Sequence, residues 1–270
     1  MSQPKTSNYR LVISGNTIEA YIFENAIGYN LESDKRKREY YGRTKNPQIH
    51  ESAINRTRNN VIRITNSNAY KWFNTKNEPY RPQFIAYTFK DNVTDITYAN
   101  SCFTNYIKRL NYHTYKTKKS LLKYIAVIEF QKRGAVHYHT IFFNLPEVDK
   151  VKERKTREFA DIWEHGFIDI GQLQPDHNAG FYIAKYMTKN LLDKRLIGRS
   201  RYFCSRHLKR PIIIRRQHQA KELILKLKSI KKPDIFDIYE SSITGESHHA
   251  VFQLTDEELQ ETFSGYNLKI

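Results

Sequence analysis

Two apolar, β-rich runs, KYIAVIEF at 123–130 and VHYHTIFFN at 136–144, are separated by a short turn containing Gly134, and this limits what the chain can fold into more than any other feature. They read as an antiparallel hairpin. If Lys132, Arg133 and Gly134 form the loop, with Gly134 in the left-handed conformation that closes a three-residue turn, Glu129 falls directly opposite His137. His137 and His139 stand two residues apart on a strand, so both imidazoles project from one face, while Tyr138 points to the other. Two ring nitrogens and the Glu129 carboxylate can then hold one cation and leave positions open for a phosphate oxygen and water. A lone strand histidine is more often hydrogen-bonded structure than ligand; the argument rests on the constellation.

The flanking segments set the architecture. RLVISGNTIEAYIF (10–23) alternates around Gly15-Asn16 and reads as a hairpin, with a polar helix expected near 47–66. After Arg81-Pro82, FIAYTFK (84–90) reads as a buried strand. A helix over about 98–112 carries Phe103, Tyr106, Ile107 and Leu110 at helical spacing. Beyond the central hairpin come a charged helix near 149–163, a short strand GFIDIG (166–171) and a helix from about 177 to 192. The order β-α-β-β-α-β with one further helix predicts an α+β fold, an antiparallel sheet backed by helices in the split βαβ, ferredoxin-like arrangement. The expected organisation is an accessory hairpin and basic helix over 1–78, a core over 79–215, and a C-terminal helix with an acidic tail over 216–270. A short helix capped by Thr255 is expected in that tail.

The last helix of the core carries a second candidate group. In AGFYIAKYMTKN (179–190), Tyr182, Lys185, Tyr186 and Lys189 occupy i, i+3, i+4 and i+7, one helical face. Ile183, Met187 and Leu191 share another face, suited to a core. A tyrosine hydroxyl is a poor nucleophile near neutral pH; a neighbouring ammonium favours its phenolate and neutralises charge building on a phosphate under attack. In a chain with 19 tyrosines and 45 lysines plus arginines, such a stripe also arises as a DNA-stacking or solvated surface.

Charge identifies the partner class. The chain has a formal net charge of +17, and this is unevenly spread: residues 234–270 hold eight acidic residues against Lys269 alone. A basic body of this strength points to a polyanion, and nucleic acid is favoured over an anionic membrane, because no apolar run approaches the roughly 20 residues of a span. No signal-peptide pattern opens the sequence, so a cytoplasmic setting is expected. The basic segments Lys35, Arg36, Lys37 and Arg38, Arg56 and Arg58 within 56–63, and Lys118 and Lys119 within 116–123 are expected to track phosphates. Tyr40, Tyr41, Tyr112 and Tyr115 beside them offer stacking surfaces. Cys102 and Cys204 have no metal-type spacing, and no phosphate loop of an ATP motor is present.

These residues resemble the HUH (His-hydrophobe-His) replication initiators of small single-stranded DNA phages and plasmids, including the filamentous-phage gene II and microvirus replication proteins. FIAYTFKDN (84–92) is similar to the family's first motif, EFQKRGAVHYH (129–139) to its metal motif and YIAKYMTK (182–189) to its tyrosine motif, the paired Tyr-x-x-Lys being similar to the two-tyrosine microvirus form. WEHGFIDIG (163–171) and RYFCSRHLKRP (201–211) fall where relatives carry connecting segments, and the resemblance covers roughly residues 50–211. It implies Mg or Mn at His137 and His139, with Glu129 as third ligand. It also implies nicking of a single-stranded or stem-loop DNA origin through a 5′-phosphotyrosine that starts rolling-circle replication, with helicase and polymerase supplied by the host. An HUH transposase or relaxase would use the same chemistry elsewhere, and a non-catalytic DNA-binding protein would use the metal only to brace its sheet.

Overall fold

The computed structural model describes residues 5–29, 51–146, 152–173, 178–188, 193–266 and 268. Two compact units emerge, one from residues 1–44 with 210–270 and the other from 45–209. Each is built on a five-stranded antiparallel sheet, with six α-helices among the described residues. None of those helices is long and apolar enough to cross a membrane.

The unit over 45–209 contains α1 (Glu51–Asn68), β3 (Gln83–Phe89), α2 (Ile96–Tyr115), β4 (Tyr124–Phe130), β5 (Val136–Phe142), α3 (Lys152–Trp163), β6 (Gly166–Gln172), α4 (Ala179–Thr188) and β7 (Tyr202–Cys204). Its sheet runs β6-β3-β5-β4-β7. Both β3 and β4 are antiparallel to β5, which lies between them, and β6 is antiparallel to β3. The two strands joined by α2 are therefore parallel and separated by a third, the split βαβ arrangement expected from the element order.

Alternation along the strands sends each side chain to one of two cores. Tyr87, Phe89, Ile128, Tyr138 and Ile170 pack with Phe103 and Tyr106 of α2 and Phe159 and Trp163 of α3. On the opposite face, Phe84, Ala86, Val127 and Ile141 pack with Val61 and Ile64 of α1 and Ile183 and Met187 of α4. Because both faces are covered, the strands are near-continuous apolar runs instead of alternating ones, which makes them legible in the sequence. At the turn between β4 and β5, Gln131 N–H donates to the Ala135 carbonyl at 2.9 Å and Gly134 adopts φ +87°. The register follows, with Glu129 opposite His137.

The other unit contains β1 (Lys5–Ser14), β2 (Thr17–Tyr29), β8 (Ile212–Ile214), α5 (Gln217–Ile230), β9 (Ile235–Ser241), β10 (Gly245–Gln253) and α6 (Asp256–Phe263). Its sheet order is β8-β1-β2-β10-β9. Gly15, at φ +60°, occupies the first central position of the two-residue turn between β1 and β2. Thr255 caps α6 in a reciprocal capping box with Glu258. The acidic C-terminal stretch differs from the expected tail, because β10 pairs along β2 from Thr17 to Phe23 and β9 pairs with β10. Interspersed Asp, Glu and His hide the strand period of these two elements. Helix α1, grouped by its sequence position with the N-terminal hairpin, packs instead in the unit over 45–209.

Helix α4 can sit where it does because Gly180 has no side chain. Its N–H donates to Asn66 Oδ1 of α1 at 2.8 Å, and a Cβ there would stand 2.5 Å from the Ile62 carbonyl oxygen and 2.7 Å from Asn66 Oδ1. Gly180→Ala is expected to push the helices apart and cost about 1–3 kcal/mol of stability. Urea denaturation of the variant against the parent checks this, and an unchanged midpoint would contradict the close crossing.

Candidate active site

On β5, Tyr138 enters the core beneath α2 and α3, and His137 and His139 face the side covered by α4. One ligand atom from each of Glu129, His137 and His139 lies within 4.8 Å of the others. Glu129 Oε2 is 2.5 Å from His139 Nε2, reached diagonally from its position opposite His137. Thr88 Oγ1 on β3 is 3.0 Å from His137 Nδ1, leaving Nε2 as the other nitrogen of that ring. Burial, reinforced by His139 and opposed by Glu129, lowers the His137 pKa to about 4. The imidazole is therefore neutral near pH 7, the protonation state a metal ligand requires. Two imidazole nitrogens and one carboxylate oxygen fit a divalent cation.

Helix α4 brings the phenols to this cluster. Asn178 precedes it and accepts from Phe181 N–H at 3.0 Å, an N-cap. Ile183 and Met187 are buried in the core, and the Tyr186 ring stacks on His139 with centroids 3.7 Å apart and planes 25° from parallel. Tyr186 Oη lies 3.4 Å from Tyr182 Oη. The Phe84 ring stacks on His139 and Tyr186 and meets Tyr182 edge-on, filling the corner between sheet and helix. Lys185 Nζ is 5.4 Å from the Tyr182 ring centroid.

The Tyr186 hydroxyl is pushed well above its ordinary range. Burial contributes most, followed by Tyr182 and then by the Glu129 and Asp169 carboxylates.

Residues 82–191, which run from the start of β3 past the end of α4, match the model of the family described as replication-associated protein ORF2/gene II protein. The "Replication-associated protein ORF2" of Spiroplasma virus 4 is 30% identical over 132 residues, covering 43% of this chain. Over this segment the chain is similar to these replication-associated proteins. It spans 41% of the length of that curated relative. No solved structure matches the chain.

The segment related to replication-associated proteins thus contains Glu129, His137, His139, Tyr182, Lys185 and Tyr186. Lys189 lies outside the described residues, as do Lys35, Arg36, Lys37, Arg38, Tyr40 and Tyr41. Arg56 is exposed and Arg58 half-buried on α1, and Lys118 and Lys119 are exposed in the turn after α2. Tyr112 is exposed beside them. Tyr115 is half-buried at the end of α2: its hydroxyl donates to the Asn144 carbonyl at 2.7 Å and its ring packs against the core, which leaves less of it open than Tyr112.

Four residues at the cluster were missed. Thr88, Phe84 and Asp169 escaped notice because their position depends on strand pairing: Thr88 lies opposite His137, and Ala86 stands between His139 and Asp169. Gly180 was visible as a glycine but had no signal that a helix would cross it.

The neutral His137 carries a pH signature in metal-free protein. An unfolded histidine titrates near 6.5, so between about 6.5 and 4 the unfolded chain binds a proton that the folded chain refuses, and stability falls as pH is lowered through that window. The loss attributable to His137 is on the order of 3 kcal/mol. Urea denaturation at pH 7 and pH 4.5 should show a smaller acid loss in His137→Gln than in the parent. Equal losses would contradict burial of a neutral imidazole.

Proposed function

We propose that this chain is a replication initiator that nicks and rejoins single-stranded DNA through a tyrosine, starting rolling-circle replication at a single-stranded or stem-loop origin. The observation that carries the reading is the stacking of Tyr186 on His139 at 3.7 Å, with Tyr182 alongside, which puts two phenols at a His-His-Glu cluster. The relationship to replication-associated proteins supports the biological role. Within this reading, residues 79–215 hold the nicking machinery with α1 packed against it in the same unit, the N-terminal hairpin and 216–270 are accessory, and host helicase and polymerase do the unwinding and synthesis.

His137, His139 and Glu129 would hold Mg or Mn, which when bound supplies Lewis-acid polarisation of a non-bridging oxygen of the scissile phosphate. Tyr182 attacks phosphorus; the Oη–P bond forms, the P–O3′ bond breaks, and the phenolic proton is balanced by protonation of the departing 3′ oxygen. The products are a 5′-phosphotyrosine and a 3′-OH that primes synthesis. Tyr182 is assigned the first attack, and Tyr186, whose ring lies stacked on His139, the return transfer. Lys185 sets positive charge beside the attacking phenol, and Lys189 serves Tyr186 in the second transfer. Because one phosphoester replaces another, Tyr186 can cut the regenerated origin and the 3′-OH so released can attack the Tyr182 phosphotyrosine, rejoining the strand and freeing the phenol without ATP. Arg56, Arg58, Lys118 and Lys119, with Lys35, Arg36, Lys37 and Arg38, add phosphate contacts whose strength falls steeply with salt.

Incubation with origin DNA and Mn is expected to yield a protein–DNA adduct that survives denaturing gel electrophoresis. Tyr182→Phe should abolish the first cleavage, Tyr186→Phe should spare it while impairing rejoining, and the double variant should form no adduct. His137→Ala should slow cleavage on the order of 100-fold or more with oligonucleotide binding largely kept. An adduct that persists in the double variant would contradict the tyrosine assignment. DNA binding by the parent protein without any adduct would contradict nicking altogether.

A further inference from the structure

The face that carries the histidines extends across the sheet to β6, and there it ends in an aromatic ring turned toward solvent. Phe167 is 66% exposed. Strand pairing puts it opposite Thr88, Thr88 opposite His137, and His137 opposite Glu129, so the four form one row across β6, β3, β5 and β4. Ile168 and Ile170 pack into the core beneath α2 and α3. Alternation therefore turns Phe167 and Asp169 to the face of the imidazoles. Two strand spacings, about 10 Å, separate the Phe167 and His137 backbones.

The backbone that carries the ring is fixed. Gly166 has φ +147°, a backbone conformation L side chains rarely adopt, and an added Cβ would collide with the Thr88 carbonyl and the Lys90 N–H of the neighbouring chain segment. Lys90 N–H donates to the His165 carbonyl at 2.9 Å, and Trp163 Nε1 donates to the Thr88 carbonyl at 3.3 Å. The segment entering β6 is thus latched to the end of β3, which also carries the hydroxyl that orients His137. A large apolar side chain fixed in water costs the fold burial that neighbouring Phe84 obtains. Its rigid backbone and its place in the ligand row match what a stacking surface for a planar group needs.

We propose that Phe167 is a stacking platform for the base of a nucleotide adjoining the scissile phosphate. This rests on the reading of the histidine face as a single-stranded DNA site. Stacking on an aromatic ring tolerates any base, so the platform positions the strand without selecting its sequence.

The test is a cycle of two proteins and two probes: the parent chain and Phe167→Ala, each titrated with a 20-nucleotide oligothymidylate and with a 20-unit abasic deoxyribose-phosphate chain carrying the same phosphates but no bases. The expected result is roughly tenfold weaker binding of oligothymidylate by Phe167→Ala, unchanged binding of the abasic chain, and recovery in Phe167→Trp. Equal losses on both probes, or no loss on either, would overturn the platform. Covalent adduct formation by the parent chain, measured alongside, keeps the two claims apart. An adduct with unaltered Phe167→Ala binding removes the platform and leaves nicking; a base-dependent loss without an adduct leaves the platform and removes nicking.

Discussion

The candidate site depends on how closely two helices can approach. Ordinary side chains hold packed helices about 8–10 Å apart, but Gly180 lets the α4 backbone come within bonding distance of Asn66 on α1, 2.8 Å from N to Oδ1. That approach seats Ile183 and Met187 on the sheet. Tyr186, three residues after Ile183 and one before Met187, is then carried onto the exposed edge of the same packing, against His139. The phenols reach the histidines because a backbone contact two helical turns earlier leaves α4 nowhere else to lie.

The chemistry of the cluster runs against the charge of the chain. A protein with net charge +17 sets Glu129 beside its histidines; burial and His139 keep His137 neutral against the influence of Glu129, and burial, Tyr182 and the Glu129 and Asp169 carboxylates hold the Tyr186 proton. Such a set is poised for a cation. A divalent cation among the imidazoles and Glu129 would offset the carboxylate influence that holds the Tyr186 proton.

Much of this was legible in the residues. The Glu129–His137 register followed from Gly134 and loop length, and the opposed directions of Tyr138 and the histidines followed from the strand period, because both are local properties of one hairpin. The split βαβ order was legible for the same reason: its strands, covered on both faces, are strongly apolar. Non-local features stayed hidden. Strands β9 and β10 carry Asp237, Glu240, Glu246, His248 and His249, so their pattern resembles a solvated tail until β2 is known to run beside them. Thr88 and Asp169 become neighbours of the histidines only through pairing across three strands. The burial and cross-sheet carboxylates that raise the Tyr186 hydroxyl are absent from any helical wheel.

Peptide mapping of the covalent DNA adduct tests the central claim most directly, since trypsin cleavage after Lys185 separates the two candidates: Tyr182 is the one tyrosine of 158–185, and Tyr186 begins the peptide 186–189. The account expects a nucleotide mass on the 158–185 peptide after the first cleavage, and on either of these peptides after joining has begun. A nucleotide on any other tyrosine, or on none, would contradict it.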